Sequence, residues 1–143
     1  MSRPIRDVAL EYVDVMWNQH DLERGLTYLG PELAAGEGQA HAVELFDAFP
    51  DLRVDILAPG PLVDGEHVVL RMAVSGTHDS GDFAGQPPSG NRLTWESIRI
   101  FRFEEGKIIE TWAKQDRLGL MEELGAVTSH AAQVHWAAGG QPD

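Results

Sequence analysis

The spacing of apolar residues changes once along this chain, at Pro50, and that change limits the folds open to it. Before Pro50 apolar residues recur at three- and four-residue steps, and after it they recur at every second position. The first spacing belongs to one face of a helix and the second to one face of a strand. Ile5, Val8, Ala9, Tyr12, Val13 and Met16 form one such stripe, which predicts a helix running to about His20. Asp21 is placed to cap a short second helix through Leu22, Leu26 and Leu29, which Gly30-Pro31 ends. The stretch Ala34 to Gly38 reads as a loop, and Ala40, Val43, Leu45, Phe46 and Phe49 as the apolar side of a third helix.

Beyond Pro50, Leu52, Val54 and Ile56 alternate with Arg53 and Asp55 in a half-buried strand. Asp64-Gly65 signals a hairpin, after which Val68, Leu70, Met72 and Val74 share one face of a longer strand ending near His78. Gly81 to Asn91 is a long loop. Strands Leu93 to Phe103 and Lys107 to about Gln115 follow, joined by a tight turn at Glu104-Glu105-Gly106, and a last helix covers Arg117 to Leu124. Helices first and an antiparallel meander second predict an α+β domain and not alternating βαβ units.

A length of 143 residues suits one domain, assigned to 1–127, with 128–143 expected to be a poorly ordered tail. The formal charge of −12 sets up a field that repels phosphate backbones and anionic headgroups, so neither nucleic acid nor a membrane is the expected partner. The same acidity also keeps a small domain soluble without any function. With no cysteine, thiolate nucleophiles and disulfides are excluded, and the cytoplasm is the expected compartment. No Gly-rich phosphate loop, Gly-x-Ser-x-Gly elbow or His-Glu-x-x-His occurs. His130 and His135 are five residues apart, a spacing that suits no common helical metal pattern, so no metal site is expected.

Ordered strings in the second half carry a family resemblance. They are Ala48-Phe49-Pro50-Asp51-Leu52, Val74-Ser75-Gly76-Thr77-His78, Phe83-Ala84-Gly85-Gln86-Pro87-Pro88-Ser89-Gly90, Ile100-Phe101-Arg102 with Glu105-Gly106-Lys107-Ile108, and Glu110-Thr111-Trp112 with Gln115-Asp116. Together with Trp17-Asn18-Gln19-His20-Asp21-Leu22 they make the chain resemble the SnoaL-like polyketide cyclases. The resemblance implies a strongly bent antiparallel sheet wrapped by N-terminal helices into a cone, a cystatin-like α+β barrel. It also implies a homodimer and chemistry without metal or coenzyme, on a small apolar carbonyl-containing molecule. Two features depart from the family's usual pattern: the segment Leu29 to Gln39 is short and has no His, and the usual Glu-His-Trp reads Glu110-Thr111-Trp112.

The resemblance also implies that Asp116, after the last strand, removes a proton next to carbonyls and returns one after ring closure. One carboxyl can do both if apolar walls such as Trp112 raise its pKa. Asp116 equally suits the N-cap of the following helix, and strict alternation puts Lys114 on its face, where an ammonium would depress its pKa. His78 either sits at the pocket rim, where it polarises a carbonyl, or hydrogen-bonds within a turn. Trp95, Ser97, Arg99 and Phe101 share a strand face that suits a pocket with a few donors, unless Ile98 and Ile100 face the core instead. Trp17 reads as a cavity wall or a core residue, and the loop holding Phe83 as a lid, a rim or a dimer contact. A noncatalytic binding or dimerisation module is the competing reading of the whole chain.

Overall fold

The computed structural model describes residues 3–115 and 120–122. Four helices precede five strands: α1 (Ile5–Val13), a π-helical turn (Asp14–Asn18), α2 (Leu22–Leu26), α3 (Pro31–Ala35), α4 (Glu37–Ala48), then β1 (Arg53–Ile56), β2 (Leu62–Asp64), β3 (His67–Thr77), β4 (Arg92–Glu104) and β5 (Lys107–Gln115). The period change at Pro50 therefore falls between α4 and β1. The sheet is antiparallel throughout, in the order β1-β3-β4-β5, with β2 beside β1 along the same edge of β3. It curls around the helices and is not closed into a barrel.

The first helix ends as expected but not by an ordinary cap. Gln19 N–H donates to Asp14 O at 2.9 Å, five residues back, which widens the last turn. That turn buries Val15, Met16 and Trp17 and leaves Asn18 facing β1. Asn18 there donates to Val54 O at 3.0 Å and accepts from Val54 N–H at 2.7 Å, so a side chain takes the place of a neighbouring strand. At the other margin Gly30 N–H donates to Ile108 O (2.7 Å) and Ile108 N–H to Tyr28 O (2.9 Å), laying residues 28–30 along β5. Asp21 caps α2 through Arg24 N–H at 3.1 Å.

Two local expectations are corrected. Ala34 to Gly38 is not a loop: α3 runs through Ala35 and α4 starts at Glu37, with only Gly36 non-helical between them. Alanine favours the helix more than one glycine opposes it, and Pro31 suits a first turn. The buried face of α4 is Ala42, Leu45 and Ala48, while Val43 stays exposed, so the helix is rotated from the pattern that the larger apolar residues suggest.

The core lies between helices and sheet. Val54, Val68, Leu70, Met72, Val74, Trp95, Phe101 and Ile108 come from the sheet, and Tyr12, Val13, Met16, Trp17 and Leu45 from the helices. One irregularity decides what the last strand presents. Phe103 pairs with Ile108 but Arg102 pairs with Glu110, so Ile109 is an extra residue, a β-bulge. The bulge reverses the alternation: Ile108 points inward from an even position, and beyond it Thr111, Ala113 and Gln115 line the interior from odd ones. Trp112 and Lys114 are consequently on the outer face.

Candidate active site

A cavity of about 430 Å³ lies between α4, the end of α1 and the inner face of β4 and β5. Leu29, Leu33, Phe101 and Ile108 give it apolar walls, and the exposed carboxylates Glu37 and Glu44 line its open side. A smaller hollow of about 60 Å³ continues inward past Met72, Val74, Phe83, Trp95 and Ser97. Trp17, His41, Arg99 and Gln115 line both spaces and so stand at their junction.

Each of those four is delivered by a local feature already described. The π-helical turn brings Trp17 inward, where its ring meets His41 edge-on (centroids 5.7 Å) and Phe46 at a tilt (5.6 Å). The bulge at Ile109 brings in Gln115, whose Oε1 accepts from Trp95 Nε1 at 3.0 Å. With its oxygen so engaged, the amide NH2 is left to donate. Arg99 faces inward because Ile98 and Ile100 do not; Ile98 is 49% exposed. Its Nη1 donates to Thr111 Oγ1 at 3.0 Å, and its cross-strand neighbour is Ala113, too small to fill the space beside it.

The electrostatics follow from burial. Desolvation works against the Arg99 charge, but a guanidinium stays protonated. Desolvation first and the Arg99 charge second push the His41 pKa down to about 4, so this imidazole is neutral at neutral pH. Desolvation holds the Tyr12 hydroxyl up at about 12, fully protonated. Among the described residues the site thus combines one fixed positive charge, neutral donors and hydrophobic walls, with Glu37 and Glu44 on its open side.

Trp17, Phe83, Trp95, Ser97 and Arg99, all expected to contact a ligand, are brought together around these two spaces. Phe83 stacks on Trp95 (6.0 Å) and meets Phe49 edge-on (5.0 Å), closing the inner hollow from its loop. Trp112 is not a wall of the site. It is 47% exposed on the outer face near His67, because the bulge moves it there. His78 is not at the rim either: it is fully buried, with Nε2 at 2.8 Å from Gly81 O and its backbone bonded to Asn91 O and Gly90 N–H, so the turn role is the one observed. Asp116, His130 and His135 lie outside the described residues. Sequence reasoning missed His41, Tyr12, Thr111 and Gln115. A signal existed for the last two in Glu110, a charge where unbroken alternation from Ile108 demands an inward side chain.

A family profile described as SnoaL-like polyketide cyclase matches residues 7–124. The chain belongs to the SnoaL-like polyketide cyclase family. Among solved structures it is similar to AclR, a candidate hydroxylase from Streptomyces galilaeus (26% identity, TM-score 0.77, covering 89% of this chain and 84% of that one). It is also similar to TsrD from Streptomyces laurentii (27%, TM-score 0.75, 89% and 99%). A candidate polyketide cyclase from Acidithiobacillus ferrooxidans shares the fold at 23% identity (TM-score 0.72, 90% and 100%). Comparison with curated proteins gives no match. No helix among the described residues is long and apolar enough to cross a membrane.

Proposed function

We propose that this SnoaL-like chain closes a ring in a polyketide-like, carbonyl-rich apolar molecule by intramolecular aldol chemistry, without metal or coenzyme, with Asp116 as acid and base. The observation that supports this most is the hollow of about 430 Å³ at the end of β5, a size that suits a drug-sized ligand. Its last described residue on that strand is Gln115, and Asp116 is the next residue in the chain. In the reaction, the carboxylate takes a proton from a carbon flanked by carbonyls, and the resulting enolate carbon attacks a second carbonyl carbon. A C–C bond forms, the carbonyl π pair moves to oxygen, and the new alkoxide takes a proton back from the carboxyl group. The apolar walls lower the polarity around the reacting groups, which favours the protonated acid needed for the last step. Ser97, Gln115 and Arg99 would orient the carbonyls.

Replacing Asp116 with Asn is expected to lower turnover by about a hundredfold or more while leaving ligand affinity near wild type. Full activity in Asp116→Asn overturns the assignment. The likeness to AclR favours a second reading, hydroxylation in the same cavity, which product mass separates from cyclisation because ring closure conserves the formula. For assembly, the apolar side chains Ile98 and Trp112, exposed among charged neighbours on the outer face of β4 and β5, support pairing with a second copy of this chain.

A further inference from the structure

Arg99 poses a problem that the proposed aldol step does not itself resolve. A guanidinium removed from water is costly unless an anion or a full set of acceptors replaces the lost hydration. Among the described residues no carboxylate lies within ion-pair distance of Arg99; its recorded partners are Thr111 Oγ1 and, through space, Tyr12. Thr111 accepts from one of five N–H donors. The carboxylates of the cavity among the described residues, Glu37 and Glu44, are exposed on its open side, and the neutral His41 supplies no negative charge.

We propose that Arg99 is the anion-recognition residue of this cavity, and that the ligand is an apolar molecule carrying one planar delocalised oxyanion, either a carboxylate or the enolate of a 1,3-dicarbonyl. This deepens the reading above, since it rests on the same cavity being the substrate site. The fork of a guanidinium matches two oxygens in one plane, which a lone carbonyl of a neutral ester does not offer. The protonated Tyr12 is a donor on the wall of the larger cavity and the Gln115 amide one at the junction, and an ionised oxyanion is purely an acceptor. Ala113, opposite Arg99, leaves space on the cavity side of the guanidinium. The aromatic and aliphatic walls from Trp17, Phe101 and Ile108 hold the remainder of the molecule. A net charge of −12 repels anions at long range, so the preference must arise at contact. For a dicarbonyl substrate the same contact receives the charge that appears when the C–H proton leaves, making that proton easier to remove.

The test uses naphthoate, its methyl ester and naphthoylacetone as probes, titrated calorimetrically into the wild-type protein and Arg99→Met at neutral pH. Wild type is expected to bind naphthoate at least about tenfold more tightly than the ester, and Arg99→Met to lose about ten- to a hundredfold for naphthoate but no more than about threefold for the ester, whose single carbonyl loses one neutral hydrogen bond. Arg99→Lys is expected to fall between them, because a point charge lacks the fork. Naphthoylacetone separates the two oxyanion sources: enolate absorption on wild type but not on Arg99→Met assigns a role for the charge formed during reaction, and naphthoate discrimination alone assigns a preformed carboxylate. Equal affinity of wild type for acid and ester, with no enolate absorption from naphthoylacetone on wild type, overturns the proposal, and is the result expected if a protein carboxylate already neutralises Arg99. So does a large fall in thermal midpoint in both variants, which would make Arg99 a structural ion; removal of a partly buried charge with no ion-pair partner among the described residues leaves the midpoint near that of wild type. Because the readout is binding, an inactive or active Asp116→Asn protein leaves this result untouched, and failure of one assignment is distinguishable from failure of the other.

Discussion

His41 is held neutral inside the cavity, and this makes stability depend on pH in a calculable way. Its pKa is pushed from 6.5 to about 4, first by desolvation and second by the Arg99 charge. The charged and titratable groups around it are Arg99, Tyr12, Glu37 and Glu44 on the cavity lining. Between about pH 6.5 and pH 4 the unfolded chain protonates this imidazole and the folded chain does not. The unfolded state therefore binds more protons, and stability falls as the solution is acidified through that window. The full gap corresponds to about 3 kcal/mol, of which about 2 kcal/mol is already lost at about pH 5.

Carboxylates titrate in part of the same range, so the measurement is a difference of differences. Urea denaturation of wild type and His41→Gln at about pH 7.5 and about pH 5 yields four unfolding free energies. The wild type is expected to lose about 2 kcal/mol more than the variant between the two pH values, because only the wild type carries the imidazole. Equal losses in the two proteins refute the reasoning, since they would mean that His41 has the same proton affinity folded and unfolded.

Two further predictions concern packing and assembly. Gly76→Ala places a Cβ 2.9 Å from Phe49 Cβ and 3.2 Å from two of its ring carbons, against a side chain fully buried beside His78, Phe83 and Trp95; a loss of about 1–3 kcal/mol by urea denaturation is expected, and unchanged stability would show that the ring can yield. Trp112→Glu, on the outer face, is expected to shift sedimentation from dimer to monomer with ligand binding retained, whereas an unchanged sedimentation coefficient removes the second copy from that face.

The fold was legible because its main signal is redundant: β1, β3 and β4 repeat the two-residue period and α1 the three-to-four-residue one. The site was legible along β4, where Trp95, Ser97, Arg99 and Phe101 keep strict alternation over the full strand. It was not legible along β5, because one extra residue at Ile109 inverts every later side chain, and such an insertion is set by pairing with β4 and not by the strand's own composition. His41 was hidden for a different reason. The face that α4 buries is chosen by small residues, Ala42 and Ala48, which let the helix approach the sheet closely, and a pattern search weighted toward large apolar residues points to Val43 instead.

The Asn18 clamp on Val54 and the Tyr28–Gly30 segment on Ile108 have a consequence beyond local stability. A hollow domain keeps much of its interior empty, and an unfilled interior loosens what surrounds it, so its selvedges are where a foreign ladder would most easily begin. A side chain stitched at Val54 and a stretch of main chain at Ile108 each take up a pair of strand groups that would otherwise face outward at these two margins. A second copy paired flat on the outer face through Ile98 and Trp112, as proposed above, would leave the hollow open to ligand.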